Sequence, residues 1–311
     1  MEVLFIADPL ASLKTYKDTT YAIMQEMAKR GFRLYHALAS NLLAENSHIY
    51  AVTRSVVMQT GKTWFCQGTA EKRPLKDFAA VLMRTDPPFD TQYLFATYLL
   101  TLAEKEGAKV FNSGTALRRY NEKLAILDFP EWISPTLVTA DPYLIRDFLN
   151  QYQDIIVKPL DGMGGREIFR LQEADPNLSS ILESVTHYAA RTIMAQKYIP
   201  EIENGDKRIL LIDGKVVPYA LARIAKKGET RANLAAGGTA KIIPINETEH
   251  HIATQLAPTL LTHGVFLAGL DIIGPYLTEI NITSPMGFQE ISKGSDCDVT
   301  TLFVDRLLAR L

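Results

Sequence analysis

The first 112 residues alternate apolar strand runs with amphipathic helical runs, and few folds accept that order. EVLFIAD (2–8) reads as a buried strand. KDTTYAIMQEMAKRG (17–31) reads as a helix, with Asp18 or Thr19 as N-cap and Gly31 as its stop. FRLYHALA (32–39) is the next strand, and FAAVLMR (78–84), the helix DTQYLFATYLLTLAEKEG (90–107) and the strand KVFN (109–112) follow. Strand–helix–strand order of this kind predicts a parallel, doubly wound sheet. Helix starts just after strands are frequent polar sites in such sheets.

Around Asn112 the character changes. TALRRYNEKLAILDF (115–129) is a short helical stretch, ISPTLVTAD (133–141) is extended, PYLIRDFLNQY (142–152) is helical and DIIVKPL (154–160) is a strand. Strands are then expected to dominate to about Ile245: REIFRL, TIMAQKYI and DKRILLIDGKVVPYALARI, where Asp213-Gly214 marks a two-residue hairpin. A last helix over 247–264 precedes the strands VFLAGLDIIG and YLTEINI. The expected class is α/β, a doubly wound N-terminal domain over 1–120 followed by an α+β unit in two parts, 121–200 and 201–311.

Composition limits the function. A net charge of −2 argues against a chain held on nucleic acid or a membrane surface by bulk charge. The opening MEVLFIADPL is a first strand rather than a signal peptide. No apolar run reaches the ~20 residues of a membrane span. Cys66 and Cys297 make no metal-ligand spacing, which suggests a reducing cytoplasm. His250 and His251 fall in a helix and read as surface residues rather than ligands.

The chemistry is concentrated in AGLDIIGPYLTEINITSP (268–285). Acids rarely sit in strands this apolar without a partner. A three-residue turn at Gly274-Pro275-Tyr276 would pair Ile273 with Leu277 and Asp271 with Glu279, with Asn281 on the face of Glu279. Two opposed carboxylates call for a cation between them, and hard oxygen donors suit Mg²⁺ bound with substrate phosphates. The plain alternative has Asp271 capping a bend and Glu279 paired with a lysine. Lys123 and Lys158 are candidate phosphate contacts, although a lysine at a strand end also snorkels to solvent.

VKPLDGMGGREIFRL (157–171) matches neither GxxxxGK[ST] nor GxGxxG. Its Gly162, Gly164 and Gly165 serve either a hairpin turn or a cover over phosphate. QKYIP (196–200) is a strand end whose backbone can read an adenine edge or simply stop before proline. RIAKKGETRANLAAGGTAK (223–241) is an exposed loop or a lid over an anion. Arg208 and Arg223 flank the Asp213-Gly214 hairpin and suit charge developing on a phosphoryl group. No Ser-His-Asp or Cys-His arrangement supports covalent catalysis. Together these features point to phosphoryl transfer with Mg²⁺ and ATP.

MRTDPPFDTQY (83–93), NEKL (121–124), KPLDGMGG (158–165), GDKR (205–208), GETRANLAAGG (228–238), GLDIIG (269–274) and TEINITSP (278–285) resemble, in order, the ATP-grasp superfamily and more narrowly the bacterial glutathione synthetases. That resemblance implies an ATP-grasp α+β unit after the N-terminal domain, with a glycine-rich loop in 121–200 and a lid and metal site in 201–311. It implies ATP-dependent joining of γ-glutamylcysteine and glycine through an acyl phosphate, with ADP and phosphate released.

By motif, Lys123 and Lys158 would hold ATP phosphates, Gln196, Lys197, Tyr198 and Ile199 the adenine, and Asp206 the ribose. Asp271, Glu279 and Asn281 would hold Mg²⁺, with Mn²⁺ as a substitute. Arg208 and Arg223 would stabilise the transferring phosphoryl group. Arg84, Ser284 and the lid residues Arg231, Asn233, Gly237 and Gly238 would contact substrate. A cytoplasmic homo-oligomer, commonly a tetramer, is implied.

Thr239 and Ala240 stand where the family commonly has arginine and glycine, and Met286 where threonine is frequent. These departures keep open another ATP-grasp carboxylate–amine ligase. A nucleotide-binding module without turnover is the reading from another class, against which the intact Asp271, Glu279, Asn281 and lysine set stands.

Overall fold

The computed structural model describes residues 1–61, 63–162, 164–226 and 238–311. Its first sheet holds β1 (Glu2–Ile6), β2 (Arg33–Ala37), β6 (Ala80–Met83) and β7 (Val110–Phe111) in the order β2-β1-β6-β7, all parallel. The alternation of β1 explains the two layers. Val3 and Phe5 face α1 (Thr19–Lys29) through Ile23, Met24 and Met27, while Leu4 and Ile6 face α2 (Thr91–Lys105) through Ala96 and Leu100. Asp18 and Asp90 cap these helices by accepting from the Tyr21 and Tyr93 amides at 3.0 and 2.8 Å.

The sheet is not parallel throughout. β3 (Leu42–Glu45), β4 (His48–Met58) and β5 (Phe65–Pro74) extend it antiparallel beside β2. Most of β5 is solvent-facing, so it lacks the apolar alternation by which a strand is recognised in sequence.

After α3 (Gly114–Arg119), a four-stranded antiparallel sheet has the order β10-β9-β11-β8: Phe169–Gln172, Asp154–Pro159, Ile193–Lys197 and Thr136–Thr139. It packs against α4 (Pro142–Tyr152) and α5 (Leu178–Val185). The helix α5 corrects the expectation that strands dominate here. Its Leu178, Ile181, Leu182 and Val185 follow helical spacing and enter that core.

The third sheet has the order β14-β13-β12-β15-β16, from Thr239–Pro244, Lys215–Ile224, Asp206–Ile212, Leu267–Ile273 and Tyr276–Asn281. Asp213 (φ 51°) and Gly214 (φ 71°) form the expected two-residue turn. The turn between β15 and β16 differs from expectation. It contains only Gly274 and Pro275, with Ile273 opposite Tyr276. A bulge at Thr278 then restores the register, so Asp271 lies opposite Glu279 as expected.

The helix α6 (Glu247–Thr262) is not the last. α7 (Phe288–Gly294) and α8 (Val299–Leu308) follow, and Phe288 and Phe303 share a core with Val3 and Phe5 of β1. Both helices end amphipathic runs short enough to be overlooked beside the strong strand signals before them.

Candidate active site

The cleft forms where the second and third sheets face each other. Its floor is the row that β12, β15 and β16 place side by side, with Arg208 opposite Asp271 and Asp271 opposite Glu279. Asp206 lies opposite Arg223 on the other side of β12. Asp271 receives Arg208 through Nε at 2.5 Å and Nη2 at 2.8 Å, Arg223 at 2.9 Å, and the Asn281 amide at 3.1 Å. Arg223 also bonds Asp206. Burial alone would raise the Asp271 carboxyl, but the Arg208 and Arg223 guanidiniums hold it well below the usual carboxylate range. Burial pushes Asp206 up to about 7, with Asp271 and Glu279 adding to the effect.

Lys158 enters this row from β9 and Lys123 from the segment after α3. Each ammonium lies 3.7 Å from Glu279 Oε1. Lys158 also donates to the Thr278 carbonyl at 3.2 Å and is 5% exposed, and its burial depresses its basicity. The plain alternative is thus half realised: Glu279 does meet lysine, in fact two. Asp271 caps no bend and lies in mid-strand.

Lys123 donates to the Gly162 carbonyl at 2.6 Å, tying the glycine-rich loop to the charged row. Gly164 and Gly165 adopt φ of 65° and 79°, in the region where side chains strain the backbone. Arg191 clasps both ends of this loop through Asp161 at 2.6 Å and Glu167 at 2.8 Å.

One pocket is lined by Lys123, Lys158, the three glycines, Gln196, Lys197, Tyr198, Ile199, Asp206, Asp271 and Glu279. It spans about 920 Å³ of space between atoms, part of it open solvent. Gln196 donates to Thr136 Oγ1 at 3.0 Å, and Arg170 stacks 3.7 Å from the Tyr198 ring centre. A second cleft joins it across Gly162, Asp271 and Glu279, and is lined also by Arg208, Arg223, Asn281, Ser284, Met286 and Asp86. Ser284 donates to Asp86.

The expected residues therefore gather with one qualification. Arg84 is buried, donating to Thr20 Oγ1 at 3.1 Å and the Pro285 carbonyl at 3.2 Å, and lines neither cleft. Gly238 precedes β14, and Thr239 and Ala240 lie in β14, paired with Ile224 and Arg223. Arg231, Asn233 and Gly237 lie outside the described residues, as does most of the expected lid.

The donor set fits a hard divalent cation. Asp271 and Glu279 offer carboxylates and Asn281 an amide oxygen on adjacent strands, and the buried Asp206 Oδ1 has no hydrogen-bond partner among the described residues. No cluster of three His, Cys, Asp or Glu occurs among those residues, so Asn281 or substrate must complete the ligands.

Sequence reasoning missed Glu122 and Asn112. Glu122 adjoins Lys123 in NEKL, which was a usable signal. Asn112 carried none, because its four hydrogen bonds all go to distant backbone.

Residues 1–118 match the family described as "Prokaryotic glutathione synthetase, N-terminal domain", and residues 122–296 match "Prokaryotic glutathione synthetase, ATP-grasp domain". The chain is 58% identical to the glutathione synthetase of Neisseria meningitidis serogroup A over 310 residues, 98% of each chain. It is 49% identical to that of Nitrosomonas europaea over 311 residues, covering 99% and 97%. Among solved structures it resembles the D-cycloserine synthetase DcsG at TM-score 0.67 and 15% identity over 99% of both chains. It resembles the macrocyclase MdnC from Microcystis aeruginosa, bound with precursor peptide, at 0.64 and 14% over 99% and 100%. At these identities the structural likenesses establish the shared fold.

Proposed function

We propose a residue-level mechanism for this chain, which belongs to the prokaryotic glutathione synthetase family and is an ADP-forming ligase that makes glutathione with ATP. Its three parts are an N-terminal domain over 1–120 and two ATP-grasp parts over 121–200 and 201–311. The observation that carries the mechanism is the convergence of Lys123, Lys158, Arg208 and Arg223 with Glu279 and Asp271 in adjoining clefts.

Gln196, Lys197, Tyr198 and Ile199 receive the adenine, and Asp206, which lines the same pocket, meets the ribose. Lys123 and Lys158 leave Glu279 for the phosphates as point charges, and Gly164 and Gly165 let the loop lie close over them. Asp271, Glu279 and Asn281 would hold Mg²⁺ or Mn²⁺, which would supply neutralisation of phosphate charge.

The free cysteinyl carboxylate of γ-glutamylcysteine attacks the γ-phosphorus and ADP departs. Arg208 and Arg223 face the charge that builds on the phosphoryl oxygens. The glycine amine, having lost a proton, then attacks the acyl carbon, and phosphate leaves with the former carboxylate oxygen. Ser284 and Met286 border the substrate cleft, with Arg84 behind Pro285. Arg231, Asn233 and Gly237, which lie outside the described residues, and Gly238 would contact substrate and help keep water from the acyl phosphate.

The reading extends to a cytoplasmic homotetramer. The unpaired thiols of Cys66 and Cys297 support a reducing compartment, and light scattering measures the assembly.

Phosphate release is the test. It is expected with Mg²⁺, ATP, γ-glutamylcysteine and glycine together, and not when either amino-acid substrate is withheld. Release with a different carboxylate–amine pair, and none with this one, would assign another ATP-grasp ligase activity.

A further inference from the structure

Glu122 is a half-buried carboxylate at the wall of the second cleft, and none of the steps above uses it. Its Oε1 accepts from the Thr283 hydroxyl at 2.8 Å, the Ile282 amide at 3.3 Å and the Thr283 amide at 3.4 Å. Its backbone carbonyl accepts from the Ile280 amide at 2.8 Å. All four donors belong to the strand end that carries Glu279 and Asn281. Among the described residues no lysine, arginine or histidine pairs with this carboxylate. Its partners are neutral, so what it contributes is geometry rather than charge pairing.

The next residue in the chain is Lys123, whose ammonium reaches Glu279 at 3.7 Å and the Gly162 carbonyl at 2.6 Å. From the opposite side Asn112 holds the same strand end. Its Nδ2 donates to the Ile282 carbonyl at 2.7 Å and the Leu267 carbonyl at 2.8 Å, and its Oδ1 accepts from the Phe266 and Leu267 amides. Residue 282 is therefore held through its amide by Glu122 and through its carbonyl by Asn112.

We infer that Glu122 is a positioning residue for the reaction: by gripping residues 280–283 it fixes the strand bearing Glu279 and Asn281 relative to Lys123. The inference rests on the proposed nucleotide site. One dipeptide, Glu122-Lys123, then sets the spacing between a phosphate-binding lysine and the ligand strand. Residues that orient ligating groups typically cost about 10–100-fold in affinity or activity when removed.

Calorimetry of ADP binding with Mg²⁺ tests this without turnover. Glu122→Ala should weaken ADP binding by about tenfold or more. Glu122→Gln keeps the accepting Oε1 and should bind within roughly threefold of wild type, since a neutral acceptor loses little toward neutral donors. Thr283→Val removes one of the three donors to that oxygen and should fall between them, which supplies the test should Glu122→Ala not fold.

Unchanged ADP affinity in Glu122→Ala or Thr283→Val would overturn the inference. So would a glutamine variant as impaired as the alanine one, because that would assign the effect to charge. Wild-type protein that binds no ADP would instead overturn the proposed function itself.

Discussion

Arg208 grips Asp271 through two parallel hydrogen bonds, at 2.5 and 2.8 Å, across the adjacent strands β12 and β15. Arg223 adds a third contact at 2.9 Å. The carboxylate is the shared counter-charge of two buried guanidiniums. Breaking one partner of a buried pair typically costs about 3–5 kcal/mol, because the remaining charge is left uncompensated. Asp271→Ala should therefore lower unfolding stability by about that much in urea titration. A loss under about 1 kcal/mol would mean the pair behaves as a surface bridge.

Gly269 offers a way to move Arg208 without removing it. A Cβ there would stand 2.7 Å from Arg208 Cδ and 3.0 Å from its Nε. The arginine must shift away from Asp271 to admit a methyl group. Gly269→Ala should lower kcat by about 100-fold, the scale of a misplaced reacting group, while circular dichroism stays native. An unchanged kcat would show that Arg208 need not hold this position.

These residues also show what the sequence could reveal. The Asp271–Glu279 pairing followed from strand alternation and one turn. The proposed turn had the wrong length, and the pairing survived only because a bulge at Thr278 absorbed the difference. Lys123 and Lys158 were legible because a lysine beside a buried strand or a glycine loop is unusual. The ion pairs joining Arg208 and Arg223 to Asp271 were not, since they depend on which strands of the third sheet become neighbours. β5 gave no apolar period, whereas β4 alternates buried and outward residues and was readable as a strand. Arg84 is enclosed by Thr20 and Pro285, which lie far from it in sequence.

Lys158 is nearly enclosed and shares Glu279 with Lys123. A charge-assisted contact to phosphate contributes about 1.5–3 kcal/mol. Lys158→Met should raise the KM for ATP about tenfold or more and leave the KM for glycine unchanged. Steady-state kinetics with each substrate varied would separate the two. An equal rise in both would point to general distortion.

Away from the cleft, burial pushes Glu104 of α2 up to about 7, against the opposing pull of the Gly114 amide and Arg118. A raised carboxyl favours the folded state only while it is protonated. Its contribution is complete below the unfolded value of 4.5 and is lost as pH rises through about 7. The urea midpoint should fall between about pH 5 and pH 8, and Glu104→Gln should remove part of that fall. Parallel profiles for the two proteins would contradict this.

The central claim is that the cleft passes phosphate from ATP to a carboxylate before the amide forms. γ-Glutamylcysteine carrying heavy oxygen in its cysteinyl carboxylate tests it most directly, by mass spectrometry of the phosphate released during turnover with glycine. The account predicts one heavy oxygen per phosphate, transferred when the amine displaces it from the acyl carbon. Glutathione formed alongside unlabelled phosphate would contradict it.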